Sequence, residues 1–207
     1  IQSVTIPKEI KYIKRSAFED CHNLTSIEFS EDSELLFIGK EAFSYSELKE
    51  IKIPKSVYQI QRGAFAFSKK LKKVVFEKGS KLESFESFLF EYCHQLEIIE
   101  IPNDSNIKTI RNSSILGTRI DNFLILPSIE ELEDGWCDDT SELVTVTISP
   151  ENKNFKYLDD KHQIIIGKSD KNSDIFDTII FACRDIQSVA IPKEIKYIKR
   201  SAFEDCH

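Results

Sequence analysis

Apolar residues return along this chain with a period of 23 to 25 residues. Each unit opens with an apolar residue and has two more at its fourth and sixth positions, as in Ile1, Val4 and Ile6. Alternation at these positions predicts a short strand with one buried face. A turn follows, often at a proline such as Pro7, and a second pair of apolar residues comes after it.

Eight such units can be aligned along the chain. They begin at Ile1, Leu24, Leu48, Leu71, Leu96, Ile120, Leu143 and Ile186. Residues 1–22 recur at 186–207 with one change, Thr5 against Ala190. Repeats of this length are typical of stacked supersecondary units, each of which buries its apolar face on its neighbours. We therefore predict one solenoid domain over residues 1–207.

The units differ in regularity along the domain. Residues 1–142 form regular rungs, residues 143–185 form one long rung with an inserted hairpin or loop, and residues 186–207 duplicate the first rung. Within the long rung, the apolar runs at 155–158, 164–166 and 179–181 are predicted to be strands. The polar stretch between the second and third run is predicted to be a loop.

Four of the eight units close on Ala-Phe, as in Ala17-Phe18, and the fourth unit has the enlarged version Leu89-Phe90. The recurring phenylalanine predicts a stacked aromatic column on the convex side of the core. Ser16 and Glu19 have the spacing of a capping box, which predicts a single helical or 3₁₀ turn at this place in the unit.

The repeated motif resembles a known family. The sequence L-x-x-I-x-I-P, then V/I-x-x-I, then A-F-x-x-C resembles the BspA-like leucine-rich repeats over the whole chain, although the fifth and sixth units replace Ala-Phe by Ser114-Ile115 and Trp136-Cys137. The resemblance implies a curved right-handed solenoid of about eight rungs, with a parallel β-sheet on the concave face and short turns on the convex face. It also implies a cell-surface or secreted protein that binds host or matrix components.

Charge is distributed unevenly along the chain. The net charge of −7 argues against a nucleic acid partner. Residues 48–81 contain ten basic and two acidic residues, whereas residues 120–152 contain nine acidic and no basic residues. This asymmetry fits either solvated flanks or the steering of a charged partner.

The composition also limits membrane and targeting assignments. There is no run of 18 apolar residues, so we expect no membrane insertion in this segment. The chain begins within a repeat and without methionine, and we expect it to be part of a longer protein. Three sequons, at Asn23, Asn103 and Asn112, are compatible with secretion in a eukaryote.

The sequence gives little support for a disulfide scaffold, a metal site or a catalytic site. We expect the five cysteines to be reduced and mostly buried rather than a disulfide scaffold, because Cys21 and Cys93 stand three rungs apart. The Cys-His pairs have no zinc spacing. The series Asp170, Asn172, Asp174 starts like a calcium loop, but Ile175 stands where that loop requires glycine. We predict no catalytic residues, no metal and no cofactor.

The concave strands offer a candidate binding surface. Positions three and five of each strand should face solvent, and in most units they are polar. Three successive units instead place Val75, Ile98 and Leu124 there, which marks either an interaction patch or ordinary β-propensity on a sheet face. The candidate patch comprises Lys73, Val75, Ile98, Glu100, Asn122 and Leu124.

Two further regions could make contacts. The insertion in the long rung is either a binding loop or a structural spacer. The two outermost rungs expose strand edges, and we expect end-to-end self-association, with residues 186–207 continuing into a further copy of the repeat in the parent protein.

These patterns favour a non-enzymatic module that binds a protein or glycan ligand, as part of a cell-surface adhesion or host-interaction segment. The alternative is an intracellular scaffold or structural rod with no specific ligand.

Overall fold

The structure is a computed structural model that describes residues 1–206. His207, the last residue of the repeated Cys-His pair, lies outside the described residues. The described chain is a parallel β-solenoid of about nine turns. One strand from each of the first seven turns contributes to the concave face: β1 (Ser3–Ile6), β3 (Ser26–Phe29), β5 (Glu50–Ile53), β7 (Lys73–Phe76), β9 (Ile98–Glu100), β11 (Asn122–Ile125) and β13 (Thr145–Ile148).

A second set of two-residue strands follows the turn in each unit. These strands are β2 (Tyr12–Ile13), β4 (Phe37–Ile38), β6 (Gln59–Ile60), β8 (Ser84–Phe85), β10 (Thr109–Ile110) and β12 (Glu131–Leu132). They pair in parallel as β2-β4-β6 and β8-β10-β12. The concave strands also pair in parallel, in the groups β1-β3, β5-β7-β9 and β11-β13. The concave sheet is therefore interrupted twice, between β3 and β5 and between β9 and β11.

The predicted aromatic column is confirmed over four turns. The rings of Phe18, Phe43, Phe65 and Phe90 stack with successive centroid distances of 5.2, 5.4 and 5.6 Å. Phe43, Phe65 and Phe90 are fully buried. Each ring therefore packs against the rings of its neighbouring rungs, which is the contact that holds a solenoid together.

The column changes composition where the Ala-Phe pair is lost. Trp136 and Cys137 reverse the order of small and large side chains, and both are buried. The Trp136 indole contacts the ring of Phe181 at a centroid distance of 6.2 Å. The large side chain thus stands at position 136 instead of 137. It fills the interior although there is no phenylalanine at position 137.

The Ala-Phe segments are not helical. The Phe18 and Asp20 N–H groups donate to Ala42 and Ser44 of the next turn, whereas the Glu19 N–H donates back to the Ser16 carbonyl. Ser16 and Asp20 have φ of 54° and 56°. Because an α-helix requires consecutive negative φ values, this alternation produces a run of single turns. Ser16 therefore lies within the turns instead of capping a helix, and residues 1–206 contain no α- or 3₁₀-helix.

Glycine marks the same turn positions in later units. Gly63, Gly117 and Gly135 have φ of 62°, 66° and 68° and stand in the positions that Ser16 or Asp20 occupy in the first unit. A Cβ on Gly117 would lie 2.6 Å from the Tyr92 ring. Glycine at this position is thus required by both the backbone conformation and the packing.

The long unit contains an inserted hairpin. The predicted strands are present as β14 (Lys156–Tyr157), β15 (Ile164–Gly167) and β16 (Thr178–Ala182). β15 pairs antiparallel with both neighbours, and β16 then pairs in parallel with β17 (Tyr197–Ile198) of the last unit. The hairpin thus supplies the edge on which the last unit stacks.

The last unit differs from its duplicate at the beginning of the chain. The alternating residues Val189 and Ile191 predict a concave strand, but residues 186–191 form none. The expectation is wrong here because β13, the preceding concave strand, is separated from this segment by the inserted hairpin. The backbone at 186–191 therefore has no neighbouring strand on the concave face with which to form hydrogen bonds.

The described residues contain no helix long and apolar enough to cross a lipid bilayer.

Candidate binding surface

The six residues of the candidate patch come from β7, β9 and β11. Ile98 and Leu124 are 45% and 38% exposed, and Glu100 and Asn122 are also exposed. Lys73 and Val75 are half-buried. These side chains occupy the outward positions of their strands, since the residues between them, such as Val74 and Phe123, are buried in the core.

Strand pairing brings four of the six residues together. Lys73 is opposite Ile98, and Val75 is opposite Glu100 in the parallel ladder. The Lys73 Nζ lies 2.6 Å from the Glu100 Oε1 and forms an ion pair across the ladder. This pair leaves the apolar surface of Val75 and Ile98 between two matched charges, so that β7 and β9 present a nearly neutral apolar strip.

Asn122 and Leu124 lie across the second interruption of the sheet. The Arg119 N–H donates to the Leu96 carbonyl at 2.9 Å just before the two strands begin. Beyond this bond, no ladder joins β9 to β11 within residues 1–206. Asn122 and Leu124 instead pair with Thr145 and Thr147 of β13. The candidate patch therefore spans a gap between two sheets.

A cleft of about 400 Å³ lies at this gap. Four of the patch residues line it: Val75, Glu100, Asn122 and Leu124. The remaining lining is mainly apolar and comes from Phe76, Ile99, Ile101, Pro102, Ile120, Phe123 and Leu126. Lys73 and Ile98 lie outside the cleft lining, on the adjoining strip. An apolar cleft with a few polar groups at its mouth is a form in which proteins bind ligands.

One exposed carboxylate borders the cleft on the side of the later turns. Asp121 is exposed beside Asn122, whose amide donates to the Asp121 Oδ1. Glu130 and Glu131 are also exposed, but they lie at β12 in the second set of strands, away from the concave strands. The carboxylates of Glu133, Asp134, Asp138 and Glu142 form ion pairs with basic side chains of other units. Asp121 is thus the exposed carboxylate on this side of the cleft.

The first interruption, between β3 and β5, holds a second cleft that the sequence pattern did not indicate. Its volume is about 560 Å³, and its lining includes Glu28, Glu31, Glu50, Lys52, Lys73 and Glu77. The Lys52 Nζ lies 2.8 Å from the Glu77 Oε1. Partial burial raises the pKa of Glu77, but hydrogen bonds from Lys52 and the Lys55 backbone outweigh burial and hold that pKa below its ordinary value. Charged side chains therefore form much of the lining of this second cleft, which we call the ionic cleft.

A second aromatic column lies outside the first one. The rings of Tyr45 and Phe67 stack at 4.7 Å, and Phe67 contacts Tyr92 at 5.5 Å. Tyr45 is 42% exposed and the other two rings are half-buried. We did not predict this column, although its signal is present: an aromatic residue stands two positions after each of Phe43, Phe65 and Phe90.

The five cysteines are free thiols in this structure. Cys93, Cys137 and Cys183 are buried, and Cys21 and Cys206 are half-buried. Burial raises the pKa of Cys137 to about 12, in spite of the nearby Arg184 guanidinium, which lowers it. The buried thiols thus remain protonated at neutral pH and pack as small apolar groups.

Comparison with known proteins identifies the repeat. The model of the BspA type leucine rich repeat region matches six copies, over residues 1–78, 36–161 and 160–207. The chain belongs to the BspA-type leucine-rich repeat family. A search of curated proteins by sequence found no match.

Two solved structures share the fold of this BspA-type chain. A leucine-rich cell surface protein of Faecalibacterium prausnitzii is 21% identical with a TM-score of 0.78, and the match covers 100% of this chain and 52% of that one. The pneumococcal vaccine antigen PcpA is 26% identical with a TM-score of 0.61, and the match covers 98% of this chain and 42% of that one. The chain thus spans about half the length of these proteins or less.

Proposed function

We propose that this chain is a non-enzymatic binding segment of a cell-surface or secreted protein, and that it binds a protein ligand through the cleft between β9 and β11. Members of the family are repeat proteins that present extended surfaces, and one similar structure is described as a cell surface protein. The observation that supports this proposal is the apolar cleft, with the exposed Leu124 in its lining and the exposed Ile98 on the adjoining strip.

The chemistry of the cleft favours one kind of ligand. Its volume suits one or two apolar side chains, and Val75, Phe123 and Leu124 supply the apolar surface that would contact them. Asp121, which is exposed beside the cleft, would attract a lysine or arginine next to such an anchor. The proposed ligand is therefore an exposed protein segment in which a basic residue lies next to an apolar one.

An array of purified extracellular matrix proteins and a glycan array would test the proposal. The doubly substituted variant Ile98→Ser with Leu124→Ser should lose at least about tenfold in affinity for any captured protein, because an apolar side chain is removed from the cleft and another from the adjoining strip. Ile175→Ser is a matched control, since Ile175 is 60% exposed on the inserted loop and far along the chain from the cleft.

The two variants also separate the competing surfaces. If Ile175→Ser loses affinity and the double variant does not, the inserted hairpin is the binding surface and the cleft proposal is wrong. Capture of glycans alone would contradict the protein ligand. No capture of any protein would favour the structural rod.

A further inference from the structure

The two clefts of the concave face are separated by the three strands β5, β7 and β9. The ionic cleft lies between β3 and β5, and the apolar cleft lies between β9 and β11. Val75, in the middle strand β7, belongs to the lining of both clefts. The two clefts are therefore parts of one groove that runs across the strands, with complete units on either side of it.

The lysines that line this groove are already paired. The Lys52 Nζ lies 2.8 Å from the Glu77 Oε1, and the Lys73 Nζ lies 2.6 Å from the Glu100 Oε1. Half-buried Val75 supplies apolar surface between these pairs. The surface that joins the two clefts thus has no lysine in need of a partner from a ligand.

Three carboxylates of the ionic cleft have no such partner. Glu28, Glu31 and Glu50 line the cleft, are exposed, and form no ion pair within residues 1–206. Glu28 is on β3 and Glu50 is on β5, so they stand on the two sides of the interruption. Four glutamates and two lysines line this cleft, which gives its lining a net charge of −2. A positively charged group complements this end of the groove.

The other end of the groove is apolar, at a distance that an extended peptide can span. Phe123 and Leu124 are among the apolar residues of its lining. Three rung spacings of about 4.8 Å separate the centres of the two interruptions, which is roughly 15 Å. Since an extended chain advances about 3.3 Å per residue, this distance corresponds to about four or five residues.

We propose, on the basis of the function proposed above, that one extended segment of the protein ligand crosses β5, β7 and β9 and occupies both clefts. A lysine or arginine of that segment contacts Glu28 and Glu50 in the ionic cleft. An apolar residue about four or five positions away enters the apolar cleft beside Leu124. The groove therefore selects its ligand by the spacing of two side chains as well as by their chemistry.

A random-peptide phage library, selected on the immobilised chain, tests the spacing. Recovered peptides should contain a basic and an apolar residue about four or five positions apart, in a fixed order. Removal of two residues between them shortens the reach of a recovered peptide by about 7 Å, so that it can fill only one cleft at a time. Its affinity, measured by fluorescence polarisation with the synthetic peptide, should fall at least about tenfold.

Substitutions in the ionic cleft test the charge. Glu28→Gln with Glu50→Gln should weaken binding of the recovered peptide at least about tenfold. The same variant should bind a peptide whose basic residue is replaced by glutamine as well as the wild type does, because the contact is then absent from both. Glu9→Gln with Glu151→Gln is a matched control, since both residues are exposed, form no ion pair within residues 1–206 and lie outside both clefts.

The outcomes separate this inference from the function on which it rests. If Leu124→Ser weakens binding of the recovered peptides and Glu28→Gln with Glu50→Gln does not, the apolar cleft binds its ligand alone and the two-cleft groove is wrong. If neither variant weakens binding, or if no peptide is recovered, both proposals are wrong. Stronger binding by the glutamine variant would indicate an acidic ligand attracted by exposed lysines such as Lys49 and Lys72, and would also overturn the inference.

Discussion

Residues 1–22 and 186–207 differ at one position, yet the described parts of these two segments differ in structure. The first copy contains a four-residue concave strand, β1, and buries Ile6 and Ile13. The second copy forms no strand at 186–191 and exposes Ile191 and Ile198. The first copy packs against the unit that follows it, whereas the second packs against the hairpin that precedes it. The neighbouring turn therefore decides which residues of a unit become core and whether its concave strand forms.

The same substitution in the two copies should have very different effects on stability. Ile13→Ala removes a buried side chain and leaves a cavity beside β4, so we expect it to lower the free energy of unfolding by about 3 kcal/mol. Ile198→Ala changes an exposed side chain and should cost less than about 0.5 kcal/mol. Urea denaturation of both variants measures the difference. Equal costs would mean that the two copies have equivalent surroundings in solution.

Amide exchange compares the two copies without any mutation. The N–H groups of Ser16, Phe18 and Asp20 donate to carbonyls of the second unit. The corresponding groups of Ser201, Phe203 and Asp205 have no such backbone acceptor within residues 1–206. We expect exchange in the second copy to be faster by at least about tenfold. Hydrogen exchange read by NMR at low protein concentration would measure it, and equal protection would contradict the comparison.

One ion pair should stabilise the second copy more than its counterpart stabilises the first. Arg200 lies 2.9 Å from the Asp138 Oδ2, and the Asp138 side chain is only 7% exposed. Its counterpart Arg15 lies 3.4 Å from the Glu41 Oε2, and the Glu41 side chain is 31% exposed, whereas the two arginines are about equally accessible. Arg200→Ala leaves a buried carboxylate without its cation and should cost about 1 kcal/mol, because solvent around Arg200 weakens the pair. Arg15→Ala should cost less than about 0.5 kcal/mol.

Thermal or urea unfolding of the two arginine variants measures this difference. Asp138→Asn is the matched control, because it removes the buried charge and should make the loss of Arg200 nearly neutral. A cost for Arg15→Ala equal to that for Arg200→Ala would contradict the role of burial.

The architecture was predictable because it depends on residues that recur. The strand positions repeat in every regular unit and the phenylalanine column in the first four, and each requires only that neighbours stack in register. The turns were predicted less well, because the spacing of Ser16 and Glu19 also fits a capping box. The glycines at 63, 117 and 135 were the better guide, since glycine at a repeated position indicates positive φ.

The candidate cleft could be predicted only in part from the sequence pattern. Outward positions such as Val75 and Leu124 follow from alternation, and the structure places both in the lining of one cleft. The interruption between β9 and β11 does not follow from alternation, because it depends on how two rungs are offset in space. For the same reason the ionic cleft near Lys52 and Glu77 was not anticipated.

The one sequence difference between the copies offers the smallest test. Thr5 is exposed in β1 opposite Glu28, and Ala190 is exposed outside any strand. Threonine favours strands over alanine, so the difference could itself explain why only the first copy forms one. We expect otherwise: Thr5→Ala should cost less than about 0.5 kcal/mol and leave the amides of β1 protected. Ala190→Thr should not protect residues 188–191, because they still lack a neighbouring strand. If either swap transferred the strand from one copy to the other, local propensity and not stacking would determine the concave sheet.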